Sequence, residues 1–465
     1  MNFWLIARNF AAAFLLALLD ALTKGRSKGT IIRTPSIIAR PDHNISRANI
    51  SRSALRVLYQ LREAGFDAYL VGGGVRDLLL GREPKDFDVV TNAHPEQVKD
   101  VFGRNCHLIG RRFRLAHVRS GRDIVEVATF RAIPNEYAVD QETGNGMLLR
   151  DNVYGTIEED ALRRDFTVNA LYYNIADFSV VDYGSGMADL RAGMLRLLGD
   201  PEVRFREDPV RMLRAVRFAA KLGFNIDAAS ERLMPGMASL MQEVPSARLF
   251  DECLKLFHGG QAVETFEKLR HYRLFDWLFP ETERCLGEEE EHFPITFVIH
   301  GLANTDARIQ EDKPVTPAFL FAVLLWEPVR RLAEEYVEND GLDEVLALQQ
   351  AGSEILTRSL ERVAIPKRYS LDMREIWQLQ PRFEGRSGKR PQRLLTHPRF
   401  RAAYDFLVLR ARAGEAEQEL ADWWTRFQAS GEEVQRTMIM PSGEESGRRK
   451  RRRRSRGGKK QTPVT

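Results

Sequence analysis

The sequence predicts an α+β fold, with an N-terminal head on a mixed β-sheet, then all-helical neck and body domains, then a disordered basic tail. Three observations carry that expectation. Between residues 68 and 130 short apolar runs alternate with turns, the pattern of strands. Beyond Tyr183 apolar residues recur at helical spacing, from 209–222 as far as Phe427. From Ser430 onward Gly, Ser, Glu and then Arg dominate, and such a composition cannot bury enough apolar surface to stay ordered.

Residues 1–50 form an N-terminal segment and linker. The run 10–19 is wholly apolar, preceded by Arg8 and closed by Asp20, Lys24 and Arg26. It is too short to span a bilayer, and no small-residue cleavage site follows. It reads first as a bland helix or a misplaced start codon, next as an interfacial helix through which residues 1–24 touch a membrane or a partner, and last as a secretion signal. Residues 30–49 are polar with two prolines, a linker. Ser51 caps a helix carrying Leu55, Leu58 and Leu61 that stops at Gly65. Strands are expected at 68–71, 87–90, 114–118 and 124–130, a helix at 95–102, and a loop at 133–148. The divisions are head 51–184, neck 185–258, body 259–430 and tail 431–465, with 288–291 an acidic loop between body helices.

Lys and Arg number 69 against 65 Asp and Glu, a net charge of +4. Ten of those cations crowd into 448–460 without an acid, and removing them from +4 leaves −6 for the rest. A mildly acidic body therefore carries a concentrated basic tail, which points to a polyanionic partner. Ordinary apolar, Gly and Pro contents exclude collagen-like, wholly disordered and polytopic membrane proteins. Cys106, Cys253 and Cys285 are too few and scattered for a disulfide framework or a zinc site, which fits a reducing cytoplasm.

Chemistry concentrates in three clusters. Leu70-Val71-Gly72-Gly73-Gly74-Val75-Arg76-Asp77 reads as a strand entering a glycine turn and leaving as a helix, so backbone amides can face a phosphate unobstructed. It lacks the Lys-Ser/Thr of a P-loop and the spaced glycines of a dinucleotide fold. Asp86 and Asp88 follow, two apart at the start of a strand, so both carboxylates project from one face and suit Mg²⁺ with substrate phosphates completing its shell. In the second cluster Arg163, Arg164 and Asp165 interrupt a helical pattern; the Arg pair can clamp a triphosphate and the acid can bind metal, ribose or a base edge. In the third, Arg211, Arg214 and Arg217 recur every three residues after Glu207-Asp208-Pro209, a stripe that needs anions, whether nucleotide, RNA or the Glu207 carboxylate four residues before Arg211.

Together and in this order the clusters resemble the class II template-independent nucleotidyltransferases of the polymerase-β-like superfamily, which comprise bacterial poly(A) polymerases and CCA-adding tRNA nucleotidyltransferases. Segments 110–118, 126–131, 145–152, 364–368, 376–380 and 397–405 look like the poly(A) branch, and the similarity runs from about Ile37 to about Phe427. The resemblance implies a nucleotidyltransferase head with Asp86, Asp88 and Asp165 as catalytic carboxylates and Asp86 and Asp88 on Mg²⁺, in a two-metal mechanism. It implies that Gly72, Gly73, Arg76, Arg164, Glu207, Asp208, Arg211, Arg214 and Arg217 bind the nucleotide. It implies AMP transfer from ATP to RNA 3′ ends by a cytoplasmic monomer, with an RNA helicase or RNA-decay proteins as partners. Arg390, Arg393, Arg399 and Arg401 of the body, with Arg382, Arg386, Lys389, Arg410 and Arg412 nearby, and Arg448, Arg451 and Arg452 of the tail are expected to meet RNA phosphates. A CCA-adding enzyme is the nearest alternative. No His-Asp pair of a phosphohydrolase domain accompanies the motifs, and the arginine-rich tail suits general RNA. A decayed, non-catalytic RNA-binding module conflicts with three intact carboxylates, and a small-molecule nucleotidyltransferase leaves the helical body unexplained.

Overall fold

The computed structural model describes residues 34–110, 114–132, 153–290, 293–294 and 296–439. The expectations for residues 1–33, the loop 133–148 and the tail from 440, including Arg448, Arg451 and Arg452, lie outside these residues. The chain divides into two compact units, 1–192 and 193–465.

The first unit is built on an eight-stranded sheet in the order β1-β8-β7-β2-β3-β6-β5-β4. Its strands are β1 (Ser36–Ile38), β2 (Ala68–Val71), β3 (Asp88–Thr91), β4 (Cys106–Ile109), β5 (Leu115–Ser120), β6 (Asp123–Thr129), β7 (Leu171–Asn174) and β8 (Val180–Asp182). Only β3 and β6 run parallel, so the sheet is mixed as expected. Ser51 caps α1 (Arg52–Glu63) by accepting from the Ala54 amide, and the left-handed Gly65 follows that helix. Val57, Leu58 and Leu61 of α1 are fully buried, and α1 packs on β2, β3, β5 and β6. The other face holds Val71, Val90, Tyr172 and Val181 with Ala161 of α4 (Ile157–Leu162). Two short helices, α2 (Gly73–Leu79) and α3 (Pro95–Phe102), lie between these in the chain, and α5 (Gly186–Ala192) ends the unit.

The linker expectation needs correction. Residues 36–38 add an edge strand to β8, which three residues are too short to announce by alternation. The strands β4, β7 and β8 were likewise without a sequence signal strong enough to place them. In the second unit helices run from Pro201 to Met438, but the all-helical expectation misses two small pairs. Asn225–Ile226 lies parallel to Met194–Leu195, and Glu289–Glu290, expected as loop, pairs with Phe293–Pro294. The body is filled by aromatic side chains: Trp326, Trp377 and Trp424 are all but fully buried.

Candidate active site

Strand register assembles the head site. A single row crosses the sheet: Ile37 beside Val181, Val181 beside Tyr172, Tyr172 beside Val71 and Val71 beside Asp88. The parallel register Val89↔Val127, continued one residue back, brings Asp88 beside Glu126, and Glu126 is paired with His117. Val181, Tyr172 and Val71 of this row are buried, while Ile37, Asp88 and Glu126 reach solvent. Burial, and then the Glu126 charge, push the Asp88 carboxyl above the usual carboxylate range, against the pull of Arg164. A raised Asp88 carboxyl with a second acid next to it and an arginine nearby is a site that a cation would relieve.

Asp86 lies in the loop before β3 rather than in the strand, so alternation does not orient it. A close approach fixes it instead: a Cβ on Gly74 would stand 3.2 Å from the Asp86 carbonyl oxygen, so α2 packs directly on the backbone that carries the first acid. Gly72, at φ 73°, makes the left-handed turn into α2. A Cβ there would stand 3.8 Å from Nη1 of Arg164, which puts that guanidinium against the turn.

Arg164 is aimed from below. Asp160, 1% exposed, accepts from Nε and Nη2 of Arg164 (3.2 and 2.9 Å) and from the Tyr172 hydroxyl (2.8 Å) on one oxygen. Its other oxygen accepts from Nε and Nη2 of Arg163 (3.1 and 2.9 Å). Burial raises the Asp160 carboxyl, but Arg164 and Arg163 outweigh it and hold the group below its ordinary value. Asp165 accepts from the Phe166 amide (2.8 Å) and from Asn169 (3.4 Å).

Arg76, expected on the nucleotide, is 2% exposed and donates to Asp77 and, at 2.7 Å, to Asn169. It is an internal strut that reaches Asp165 through Asn169. The structure thus brings Gly72, Gly73, Arg164, Asp86 and Asp88 to one end of the sheet, and adds Glu126, which the sequence reading passed over. The clue was an acid in the strand-like run Glu126-Val127-Ala128-Thr129, meaningful only once its parallel partner is known. Among the described residues no three His, Cys, Asp or Glu side chains stand close enough to enclose a metal ion. Mg²⁺ needs only one or two carboxylates when phosphates supply the rest, so hard oxygen donors at Asp86, Asp88 and Glu126 fit it.

In the second unit Glu207 ends the helix Pro201–Glu207 and Arg211 lies in the first turn of Val210–Leu222. Glu207 accepts from Arg204 (2.8 Å) and Arg211 (2.9 Å), so the i,i+4 pairing foreseen for Arg211 is made. Asp208 accepts from the Val210 amide on one oxygen and from Arg248 (2.7 Å) on the other. Arg214 and Arg217 are half-buried on the same helix, with Arg217 over the Phe218 ring.

The body arginines divide. Arg390 and Arg393 are exposed, Arg399 pairs with Asp372 and Glu375, and Arg401 pairs with Asp405. Arg386, buried, pairs with Glu419, while Arg410 lies against Glu415 and over the Trp326 ring. Neither of these two presents its charge to solvent as expected.

The family description "Poly A polymerase head domain" matches residues 68–196, "Probable RNA and SrmB-binding site of polymerase A" matches 223–286, and "Polymerase A arginine-rich C-terminus" matches 340–458. Poly(A) polymerase I of Salmonella typhimurium is 51% identical over 410 residues, 87% of this chain and 88% of that protein. That of Haemophilus influenzae is 47% identical over 408 residues, covering 87% and 90%. A CCA-adding enzyme of Lactobacillus helveticus is 38% identical over only 46% of this chain and 52% of its own length. A solved structure described as a tRNA-processing enzyme in apo form shares the fold, with a TM-score of 0.53 at 24% identity over 87% of this chain and 96% of the other. Similarity to the CCA-adding enzyme thus reaches about half of this chain, while similarity to the poly(A) polymerases continues through most of it: the chain belongs to the bacterial poly(A) polymerase family.

Proposed function

We propose that the protein is a template-independent polynucleotide adenylyltransferase that adds AMP from ATP to RNA 3′ ends and so marks RNAs for decay. The observation that carries this reading is the extent of identity to proteins named poly(A) polymerase I, at 51% over 87% of the chain. The triphosphate lies against the Gly72-Gly73 turn, with Arg164 and Arg163 on its oxygens. Asp86 and Asp88 would hold Mg²⁺, with Glu126 beside Asp88 on the neighbouring strand. A divalent cation bound there supplies neutralisation of phosphate charge and lowers the pKa of the attacking hydroxyl. The RNA 3′-hydroxyl attacks the α-phosphorus in line and pyrophosphate leaves toward the arginines. Asp165, held by Asn169 and the Phe166 amide, positions the ribose or the cation. Glu207, Asp208 and Arg211, already fixed by Arg204 and Arg248, present a rigid edge to the base, so base choice needs no nucleic-acid template. Arg214 and Arg217 extend that cationic face.

The body arginines and the basic tail hold RNA, a helicase or decay factor docks on 223–286, and residues 1–24 give any peripheral membrane contact of an otherwise cytoplasmic monomer. Among the described residues no helix is long and apolar enough to cross a membrane. The test is incubation of the purified chain and Mg²⁺ with a short RNA and each nucleoside triphosphate separately. Long tails with ATP alone are expected. Growth confined to three nucleotides on a tRNA would favour the CCA-adding alternative, and no incorporation from any nucleotide would sink both.

A further inference from the structure

The segment between the helices Glu344–Leu360 and Lys367–Leu379 carries cations that the proposed function leaves unused. The Ala364 amide donates to the Ser246 carbonyl (3.1 Å), which ties this loop to the start of the neck helix Ser246–Phe257. The Tyr369 ring stacks on Phe250 at 6.0 Å and 25°, and Phe250 stacks in turn on Phe321. Three cations belong to this loop and the start of the helix after it. The Arg368 guanidinium lies over Tyr369 (4.7 Å), that of Arg362 lies over Trp277 (5.8 Å), and Lys367 is exposed beside them. Leu360 and Leu371, 46% and 49% exposed, bracket the loop.

Surface cations normally find an acid one helical turn away. Arg358 does so, with Glu354. Asp372, four residues beyond Arg368, is instead taken by Arg399 (2.5 Å). Among the described residues, none of Arg362, Lys367 and Arg368 makes an ion pair. Rings hold two of them in place, so little side-chain freedom is lost when an anion arrives. The same helix that anchors the loop carries Arg248, whose partner is Asp208 of the base-selecting turn. Cations without counterions, aromatic rings and exposed apolar side chains are the composition of a single-strand surface.

We propose that Arg362, Lys367 and Arg368 bind phosphates of the single-stranded RNA just upstream of its 3′ nucleotide. The site rests on the adenylyltransferase reading above and joins the 223–286 and 340–458 segments, through Trp277 and the 362–368 loop. Its residues are distinct from the Arg390–Arg401 set, of which Arg399 reaches the same helix at Asp372.

The experiment compares the full chain with Arg362→Gln/Lys367→Gln/Arg368→Gln, using a fluorescent twelve-nucleotide oligoadenylate and a salt series. Each lost phosphate contact should lower the salt slope by about 0.7, so the affinity lost between 50 and 200 mM salt should shrink roughly twentyfold. The ATP KM, and kcat at saturating RNA, should not move. Arg362→Lys/Arg368→Lys should keep the parental slope. If the triple variant fails to fold by circular dichroism, the single variants must each lower the slope. An unchanged slope overturns the site, including the outcome in which the patch serves a protein partner. A parent that incorporates no AMP would overturn the adenylyltransferase reading instead, and the two failures are read in separate assays.

Discussion

Replacement of Asp160 by Asn should uncouple the two arginines from the head site. The carboxylate is 1% exposed and serves both guanidiniums and the Tyr172 hydroxyl, and Asn keeps its shape while removing its charge. Breaking a buried pair on one side costs about 3–5 kcal/mol. Arg163 and Arg164 retain 29% and 20% exposure, so water recovers part of that, and about 2–3 kcal/mol is expected. That is a large share of a typical total of about 5–15 kcal/mol. The five tryptophans between residues 193 and 465 belong to the second unit, so their emission would miss the event. Urea unfolding should be followed by far-ultraviolet circular dichroism, with amide exchange of β2 and β7 as the local probe.

The pH dependence has a definite sign. The folded carboxyl titrates below its unfolded value, so its contribution is complete above about pH 4, the unfolded value, and is lost as pH falls through the folded one. The gap between parent and variant should therefore close in acid. The ATP KM should rise about tenfold, the equivalent of one charge-assisted hydrogen bond. A loss below 1 kcal/mol with an ATP KM within about twofold of the parent would refute the claim that Asp160 aims these arginines.

Asp86→Asn and Asp88→Asn should each abolish Mg²⁺-dependent AMP incorporation while RNA affinity, measured by anisotropy, stays near the parental value. Gly74→Ala drives a methyl to 3.2 Å from the Asp86 carbonyl, so a cost of about 1–3 kcal/mol and a turnover loss of about tenfold or more are expected from denaturation and primer extension. Glu327 is fully buried, and burial, followed by the charge of Glu415 and against that of Arg330, raises its carboxyl to about 8. Its folded form holds a proton that the unfolded form releases near pH 4.5, so stability from this group is lost as pH rises from about 4.5 to about 8; Glu327→Gln should match the parent near pH 4 in thermal melts and exceed it by a growing margin up to pH 8. Deleting residues 446–465 should flatten the salt dependence of RNA binding and shorten tails, while turnover on saturating short primer holds.

What the sequence disclosed was whatever is local in it. Ser51 as a cap and the glycine turn between strand and helix each need only a few neighbouring residues and are found where expected, whereas Asp86 falls in the loop before β3 rather than in the strand with Asp88. The motif order disclosed the family as well. Glu126 was hidden because its meaning lies in a parallel ladder, which no hairpin turn announces, and β1 because three residues cannot show a period. Arg76 looked like a ligand because it follows glycines, but its burial between Asp77 and Asn169 is a tertiary fact.

The arginines state the same limit in energetic terms. Composition counts Arg410 and Arg368 alike, yet their surroundings give opposite consequences. Arg410 is desolvated far enough to pull its pKa below the ordinary arginine value despite Glu415, so its charge is already committed to holding the body together. Arg164 and Arg211 are intermediate, because each has an acid on one side and access on the other: Asp160 and Glu207 fix their direction without using all their donors. Arg368 has a ring beneath it and no acid. A phosphate can displace water from such a group at small cost, whereas it could reach Arg410 only by leaving Glu415 uncompensated. Desolvation of the guanidinium and the presence of a partner acid, rather than the number of arginines, therefore decide which positive charges are available to RNA.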